Sequence, residues 1–377
     1  MILALVALGA AAEPAVDEES SLKWSGLGLP LVGGNSIDGF GFGAGGEAFA
    51  RAADEDTGYA VKLAGALWVT SSLDYTSNWL RLDVRGERLD WLGHLGYRAW
   101  RDLRYAGVGG EEVQRDPGDI ELGNAMRSPF GFLGVKYPIG QTTSLFVQVY
   151  GRQAWVMPGA GSLLEERAPS GVVGGTYADA TVGVALEDVD QWPLPNRGVQ
   201  GEVDVRAGGL MAPGTHRPLL GAHAEVIGWA PVAGPALVLG GRVVYDGSIG
   251  DRPFFEQDTL GGLRRDELGS EQALAGYGRT RTRGDGVLAA MVEVRPRLFA
   301  TDHHFWDVGL YLSAFAEQGW LFVEGDPGPP MPTLGGGPEI LWQKAIQLRP
   351  FLAWGWRSEG DHRQPDLQFG VSFVDPL

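Results

Sequence analysis

Three things are scarce in this 377-residue chain: it has no cysteine, no long uninterrupted apolar run, and only 30 Lys plus Arg against 47 Asp plus Glu. Without cysteine, an exported fold must hold together without disulfides, although the absence is equally compatible with the cytosol. Past the first dozen residues, no apolar run reaches the ~18 to 20 residues of a membrane helix, because a charge, a glycine-rich turn or a proline interrupts each one. That excludes spanning by helices. The formal net charge of -17 excludes a surface built to track phosphates, so nucleic acid is not an expected partner.

What is present begins with MILALVALGAAA, whose first charge is Glu13. It reads as a signal peptide over 1–12 ending at small residues, followed by a short N-terminal segment over 13–37 and one barrel domain over 38–377. The usual basic start is missing, which leaves an upstream initiator or a plain apolar terminus as alternatives.

The dominant signal in the mature sequence is period-two alternation. Val199, Gly201, Val203, Val205 and Ala207 share one face while Gln200, Glu202, Asp204 and Arg206 share the other. Leu80, Leu82 and Val84 oppose Arg81, Asp83, Arg85 and Glu87 in the same way. Leu145, Val147 and Val149 oppose Gln148 and Arg152, and Leu288, Ala290, Val292 and Val294 oppose Glu293, Arg295 and Arg297. At the C-terminus Leu367, Phe369, Val371 and Phe373 oppose Gln368 and Ser372. Fifteen such segments, from 38–52 to 366–376, are separated by Gly, Pro, Asp and Asn clusters. Bacterial barrels close with even strand numbers, so sixteen are expected, with Ile120 to Met126 or Leu22 to Leu31 as the missing one.

Alternation alone fits a soluble sheet too. Strands of about 10 to 15 residues, small apolar residues, and tryptophans near strand ends (Trp68, Trp79, Trp91, Trp155, Trp192, Trp229, Trp320, Trp342) favour a membrane wall. The fold class read from the sequence is all-β: a transmembrane antiparallel β-barrel, with the one long break in the alternation, 251–286, as a functional loop folded into the lumen.

Within and after that break stand PFFEQDTLGG (Pro253 to Gly262), LAGYGRTRTRG (Leu274 to Gly284) and MVEVRPRL (Met291 to Leu298). Together with FAEQGWLF (Phe315 to Phe322), YAGVGG (Tyr105 to Gly110) and PNRGVQGEVDV, they resemble in order the motifs of the bacterial surface antigen superfamily. These are the outer-membrane barrels related to BamA, TamA and the two-partner-secretion transporters. The resemblance assigns Leu260, Gly261 and Gly262 to the approach of a lumen loop, and Leu274, Ala275, Gly276 and Tyr277 to its tip. Glu293, Arg295, Phe315, Glu317 and Gly319 fall on the strands that meet the loop, and Phe369 and Phe373 on the C-terminal strand. In the family the tip carries an arginine understood to pair with the acidic residue matched by Glu317. Here Ala275 replaces it, so Arg279, Arg281 or Arg283 is expected to stand in, because a lone carboxylate in a narrow lumen is costly. The short segment before the barrel implies a barrel-only member without periplasmic modules.

Other patterns have blander readings. Gly41, Gly43 and Gly46 space a G-x-G-x-x-G, but nothing helical follows, and barrel-strand glycines are the better reading. His303 and His304 are neighbours that a strand would point apart, so a turn or strand-end role is expected rather than metal ligation. Asp54, Glu55 and Asp56 lack the spacing of a calcium loop. Of the six histidines, His94, His216 and His223 lie in or beside strands, and no Gly-x-Ser-x-Gly elbow accompanies them. The expectation is a protein that is not an enzyme and holds no cofactor or metal. It would sit in the bacterial outer membrane, in contact with lipid and with unfolded protein clients or a separate periplasmic partner, and assist protein or lipid insertion or passage. A passive pore or structural barrel is the alternative.

Overall fold

A computed structural model describes residues 23–374 apart from 36–38, 52–59, 72, 87, 102, 104, 106, 108–123, 192–193, 213, 264, 266–267, 269–272, 278–282, 302–306, 343–345 and 357–364. The first half of the wall is β1 (Lys23–Asn35), β2 (Gly39–Arg51), β3 (Val61–Thr70), β4 (Tyr75–Arg85), β5 (Asp90–Trp100), β6 (Ala125–Pro138), β7 (Thr143–Met157) and β8 (Gly175–Val189). The second half is β9 (Gly198–Ala212), β10 (Thr215–Pro231), β11 (Leu237–Gly250), β12 (Gly286–Thr301), β13 (Val308–Val323), β15 (Met331–Trp342), β16 (Ile346–Trp356) and β17 (Pro365–Val374). A two-residue β14 (Asp326–Pro327) only extends the β13 hairpin. Each wall strand pairs antiparallel with the next, and β17 returns to β1, so sixteen strands close a ring.

The burial pattern is inverted relative to a soluble barrel. Leu67, Leu95, Val203 and Val292 are 60 to 67% exposed on the outer face, while Asp204, Arg206, Asp246 and Glu339 are at most 2% exposed inside. An apolar exterior around a charged interior is stable only where the outer solvent is lipid, and closure leaves no unpaired backbone edge there. The barrel is therefore transmembrane.

Fourteen of the fifteen expected segments match wall strands to within a few residues; the exception in extent is 91–107, which ends at Trp100 in β5. The sixteenth strand is β1, inside the stretch 13–37 set aside as a short N-terminal segment and overlapping the Leu22 to Leu31 candidate. The proposed G-x-G-x-x-G lies within β2, with strand on both sides. Residues 1–22, Asp54 to Asp56, and His303 and His304 lie outside the described residues.

Connections at one end of the barrel are long. They include 158–174, carrying the five-residue helix α1 (Leu163–Arg167), and 251–285 between β11 and β12. Ser162 caps α1 by accepting from the Glu165 amide at 3.2 Å. Leu163 and Leu164 of α1 are buried in one apolar cluster with Phe254 and Phe255 of the long loop.

Candidate functional site

The loop 251–285 enters the lumen and is held at three places. At the first, Phe254 and Phe255 are no more than 1% exposed in a cluster with Trp100, Leu103, Tyr105, Tyr150 and Tyr177. Arg152 of β7 donates to the Phe255 carbonyl at 2.6 Å and to Glu256 at 3.2 Å, and the Tyr150 hydroxyl reaches Glu256 at 3.2 Å. Arg283, returning from the far side of the loop, donates to the Phe254 carbonyl and stacks over the Phe254 ring at 5.3 Å. Tyr105, the first residue of YAGVGG, meets the Phe254 ring edge-on, centroids 5.7 Å apart, and so touches the loop although it lies beyond β5.

At the second, the Leu260–Gly261–Gly262 turn rests on charges of β9, β10 and β11. Asp246 of β11 accepts both arms of Arg206 at 2.6 and 2.7 Å, Arg252 at 3.1 Å and the Gly261 amide at 2.7 Å. Arg206 stands two strands away on β9 and reaches Asp246 across Gly221 of β10, where an added Cβ would lie 2.6 Å from its Nε. The loop glycines leave room for the ends of charged side chains from the wall. A Cβ on Gly261 would meet Arg206 Nη1 at 1.8 Å, and one on Gly262 would meet Glu202 Oε1 at 1.9 Å. Gly262 also has φ +90°. The next amide, Leu263, donates to Glu202 at 3.1 Å.

At the third, the tip lies against β13, β15 and β16. Glu317 of β13 accepts the backbone amides of Leu274 at 2.6 Å and Ala275 at 2.9 Å. The Leu274 side chain fills the space left by Gly319, where a Cβ would lie 2.1 Å from Leu274 Cδ2. Gly276 and Gly355 of β16 meet backbone to backbone, and a Cβ on Gly276 would sit 2.3 Å from the Gly355 nitrogen. The Tyr277 hydroxyl reaches the carbonyls of Trp356 at 2.8 Å and Pro332 at 3.1 Å, and Ala275 packs with Phe315 and Ala353.

The expected pairing of Glu317 with a substitute arginine is corrected at Arg283, which faces the Phe254 carbonyl and lies 3.9 Å from Asp258. Among the described residues, the hydrogen-bond donors to Glu317 are the two main-chain amides of Leu274 and Ala275. Arg279 and Arg281 fall outside the described residues. A second correction concerns Glu293 and Arg295, whose described partners are not in the loop. Glu293 takes a hydrogen bond from Ser313 and an ion pair with Arg349 at 3.1 Å, and Arg295 donates to the Pro195 carbonyl. Pro195 belongs to the 190–197 turn at the opposite end of the barrel, whose Leu194 is buried against Tyr311 and Leu341 inside the wall. Leu194 and Pro195 thus meet the inner face of the wall at that end. Phe369 faces outward at 44% exposure, and Phe373 pairs in register with Leu348.

The two tip glycines differ in what a methyl group would strike. Gly319→Ala displaces only the flexible end of Leu274, whereas Gly276→Ala strikes the backbone of Gly355. Limited proteolysis in detergent is expected to cleave the 251–285 loop at least about tenfold faster in Gly276→Ala and within about threefold of wild type in Gly319→Ala, given overpacking costs of ~1 to 3 kcal/mol against backbone. Equal rates would contradict this seating of the tip.

No known family model and no curated protein matches the sequence. Among solved structures, BamA from Haemophilus ducreyi lacking POTRA domains 1-3 superposes with a TM-score of 0.54 at 13% identity, over 94% of this chain and 75% of that one. CdiB from Acinetobacter baumannii gives 0.54 at 12% identity, over 94% of this chain and 65% of that one. A structure described as a bacterial polysaccharide outer membrane secretin gives 0.49 at 10% identity, over 93% and 98%. The chain therefore shares the barrel fold of BamA and CdiB and spans about two thirds of the CdiB chain.

Proposed function

We propose that this chain is an outer-membrane barrel of the surface antigen superfamily that assists insertion or passage of protein or lipid by opening laterally between β1 and β17, with no covalent catalysis. The observation that carries the reading is the seam. β1 pairs with β2 along its whole length, from Lys23 opposite Arg51 to Asn35 opposite Gly39. With β17 it pairs, among the described residues, only at Gly34 opposite Phe369 and Asn35 opposite Gln368.

In an apolar medium a backbone hydrogen bond is worth roughly 4 to 6 kcal/mol. Parting the β1–β17 contact then costs on the order of 10 kcal/mol, and parting any fully zipped pair several tens. The wall opens where it is least paired. The 251–285 loop, held inside the barrel against β11, β13 and β16, favours this route over a passive pore, since a solute moving along the axis would have to displace it.

A reversible lock tests the reading. The chain has no cysteine, so Gly34→Cys with Phe369→Cys introduces one defined disulfide between paired backbones at bridging distance. Proteoliposomes carrying wild type are expected to accelerate folding of a small outer-membrane barrel client over empty liposomes. The oxidised variant loses at least about tenfold of that acceleration, and reductant restores it. Acceleration undiminished by the lock would eliminate lateral opening, and a steady channel in planar bilayers without acceleration would establish the pore.

A further inference from the structure

Beneath the Leu260–Gly262 turn lies a group of side chains that the loop contacts do not account for. His223 of β10 stands in register between Asp204 of β9 and Asp246 of β11, and Glu225 stands opposite Glu202 one step along. The neighbouring carboxylates are matched by cations: Asp246 by Arg206 and Arg252, Glu225 by Arg242, and Asp179 by Arg265. Glu202 and Asp204 are not. Among the described residues neither is bridged by an arginine or lysine, and Glu202 has only the Leu263 amide and, at 3.3 Å, His223 Nε2.

Asp204 is the more exacting case. It is 2% exposed, and neither of its carboxylate oxygens has a hydrogen-bond partner. The His223 ring, also 2% exposed, is ringed by carboxylates, with Nδ1 3.4 Å from Asp246 and Nε2 3.3 Å from Glu202 and 3.8 Å from Glu225, and neither nitrogen makes a hydrogen bond of proper geometry. One ligand atom from each of Glu202, Asp204 and His223 can be chosen so that all lie within 4.8 Å of one another. At that spacing Glu202 and Asp204 share the single imidazole of His223 and no arginine or lysine, a buried shortage of positive charge that a divalent cation relieves while it takes the imidazole lone pair. A cavity of about 20 Å³ bordered by Glu202, Glu225 and Leu263 adjoins the group, enough for one water as a further ligand.

We infer that Glu202, Asp204 and His223 form a binding site for a divalent transition-metal ion of the zinc class, placed where the lumen loop meets the wall. The donor set selects the metal: imidazole with two carboxylates suits Zn²⁺ and its neighbours, whereas Mg²⁺ and Ca²⁺ call for oxygen alone. Because Glu202 also holds the Leu263 amide, the ion ties β9 and β10 to the loop and opposes its withdrawal. The sequence reading expected no metal. Glu202 and Asp204 looked like an ordinary polar strand face, and His223 is 19 positions from Asp204.

The test uses full-length protein carrying no histidine tag, purified in detergent, stripped with EDTA, dialysed and titrated with ZnCl₂. Wild type is expected to bind one equivalent, and the heat-modifiable gel transition and loop proteolysis both shift towards greater stability on binding. Asp204→Asn and His223→Gln each weaken binding at least about tenfold, while His94→Gln, which lies in an aromatic cluster of β5, leaves it unchanged. Wild-type protein that takes up no zinc, or takes it up with no change in either transition, overturns the site, as does equal binding by both variants. The wild-type titration decides even if a variant fails to fold, and metal uptake is read independently of lateral opening.

Discussion

Asp246→Ala is expected to produce the largest loss of stability of any single lumen substitution. The carboxylate is fully buried and accepts two hydrogen bonds from Arg206, one from Arg252 and one from the Gly261 amide. Its removal strands the Arg206 guanidinium, 2% exposed, without its partner. Breaking one side of a buried pair costs about 3 to 5 kcal/mol, because the remaining charge stays desolvated. The midpoint of the heat-modifiable gel transition should fall by on the order of 5 to 10 °C. The loop should also become protease-sensitive, since Gly261 loses its anchor. A double variant, Arg206→Met with Asp246→Leu, removes the carboxylate together with its bidentate partner, leaves Arg252 on the Thr259 carbonyl, and should recover at least half of the lost stability. A double variant no more stable than Asp246→Ala would show that the stranded Arg206 guanidinium is not the cause and would point to Arg252 instead.

Such a cluster was only half legible in the sequence. Period-two alternation placed Glu202, Asp204 and Arg206 on one face, and that face does line the lumen. Which charges meet depends on cross-strand register, and a one-residue slip would move every side chain to the other wall. Arg206 reaches Asp246 over Gly221, forty positions away in sequence, through a gap that exists only because a glycine stands opposite. Nothing in the run GEVDVRAGG announces that partner. Arg152 and Glu256, which fix the loop entrance, were hidden for the same reason, although the alternation did put Arg152 on the polar face.

The strand β1 shows a different limit. LGLPLVGG carries no charge to mark a polar face, so its alternation is nearly silent, and only the parity of barrel closure pointed to it. By contrast the loop was legible from its motif. Leu260, Gly261, Gly262, Leu274, Gly276 and Tyr277 all make the contacts that anchor 251–285, and each glycine stands where a side chain would collide with the wall or its charges. The amide partners of Glu317 escaped the sequence reading because a backbone amide has no letter in the sequence, and of the substitute arginines it named, Arg283 lies elsewhere while Arg279 and Arg281 fall outside the described residues.

Glu317→Ala is expected to convert a closed barrel into one that conducts intermittently. The carboxylate makes charge-assisted hydrogen bonds to two buried amides, at 2.6 and 2.9 Å, each worth about 1.5 to 3 kcal/mol. Losing both removes about 3 to 6 kcal/mol from the docked tip, which raises the undocked population by about two to four orders of magnitude. Tyr277 and the Gly276 contact with Gly355 remain, so the tip should undock transiently rather than permanently. In planar bilayers, wild type should be silent or nearly so, and Glu317→Ala should flicker between closed and open levels. Glu317→Gln keeps one acceptor oxygen but loses the charge, and should flicker less often than Glu317→Ala. Deletion of 274–283 sets the upper limit by removing the tip altogether. Were Glu317→Ala as silent as wild type while the deletion conducts, the two amide bonds would not be what holds the tip, and Tyr277 would carry the anchoring instead.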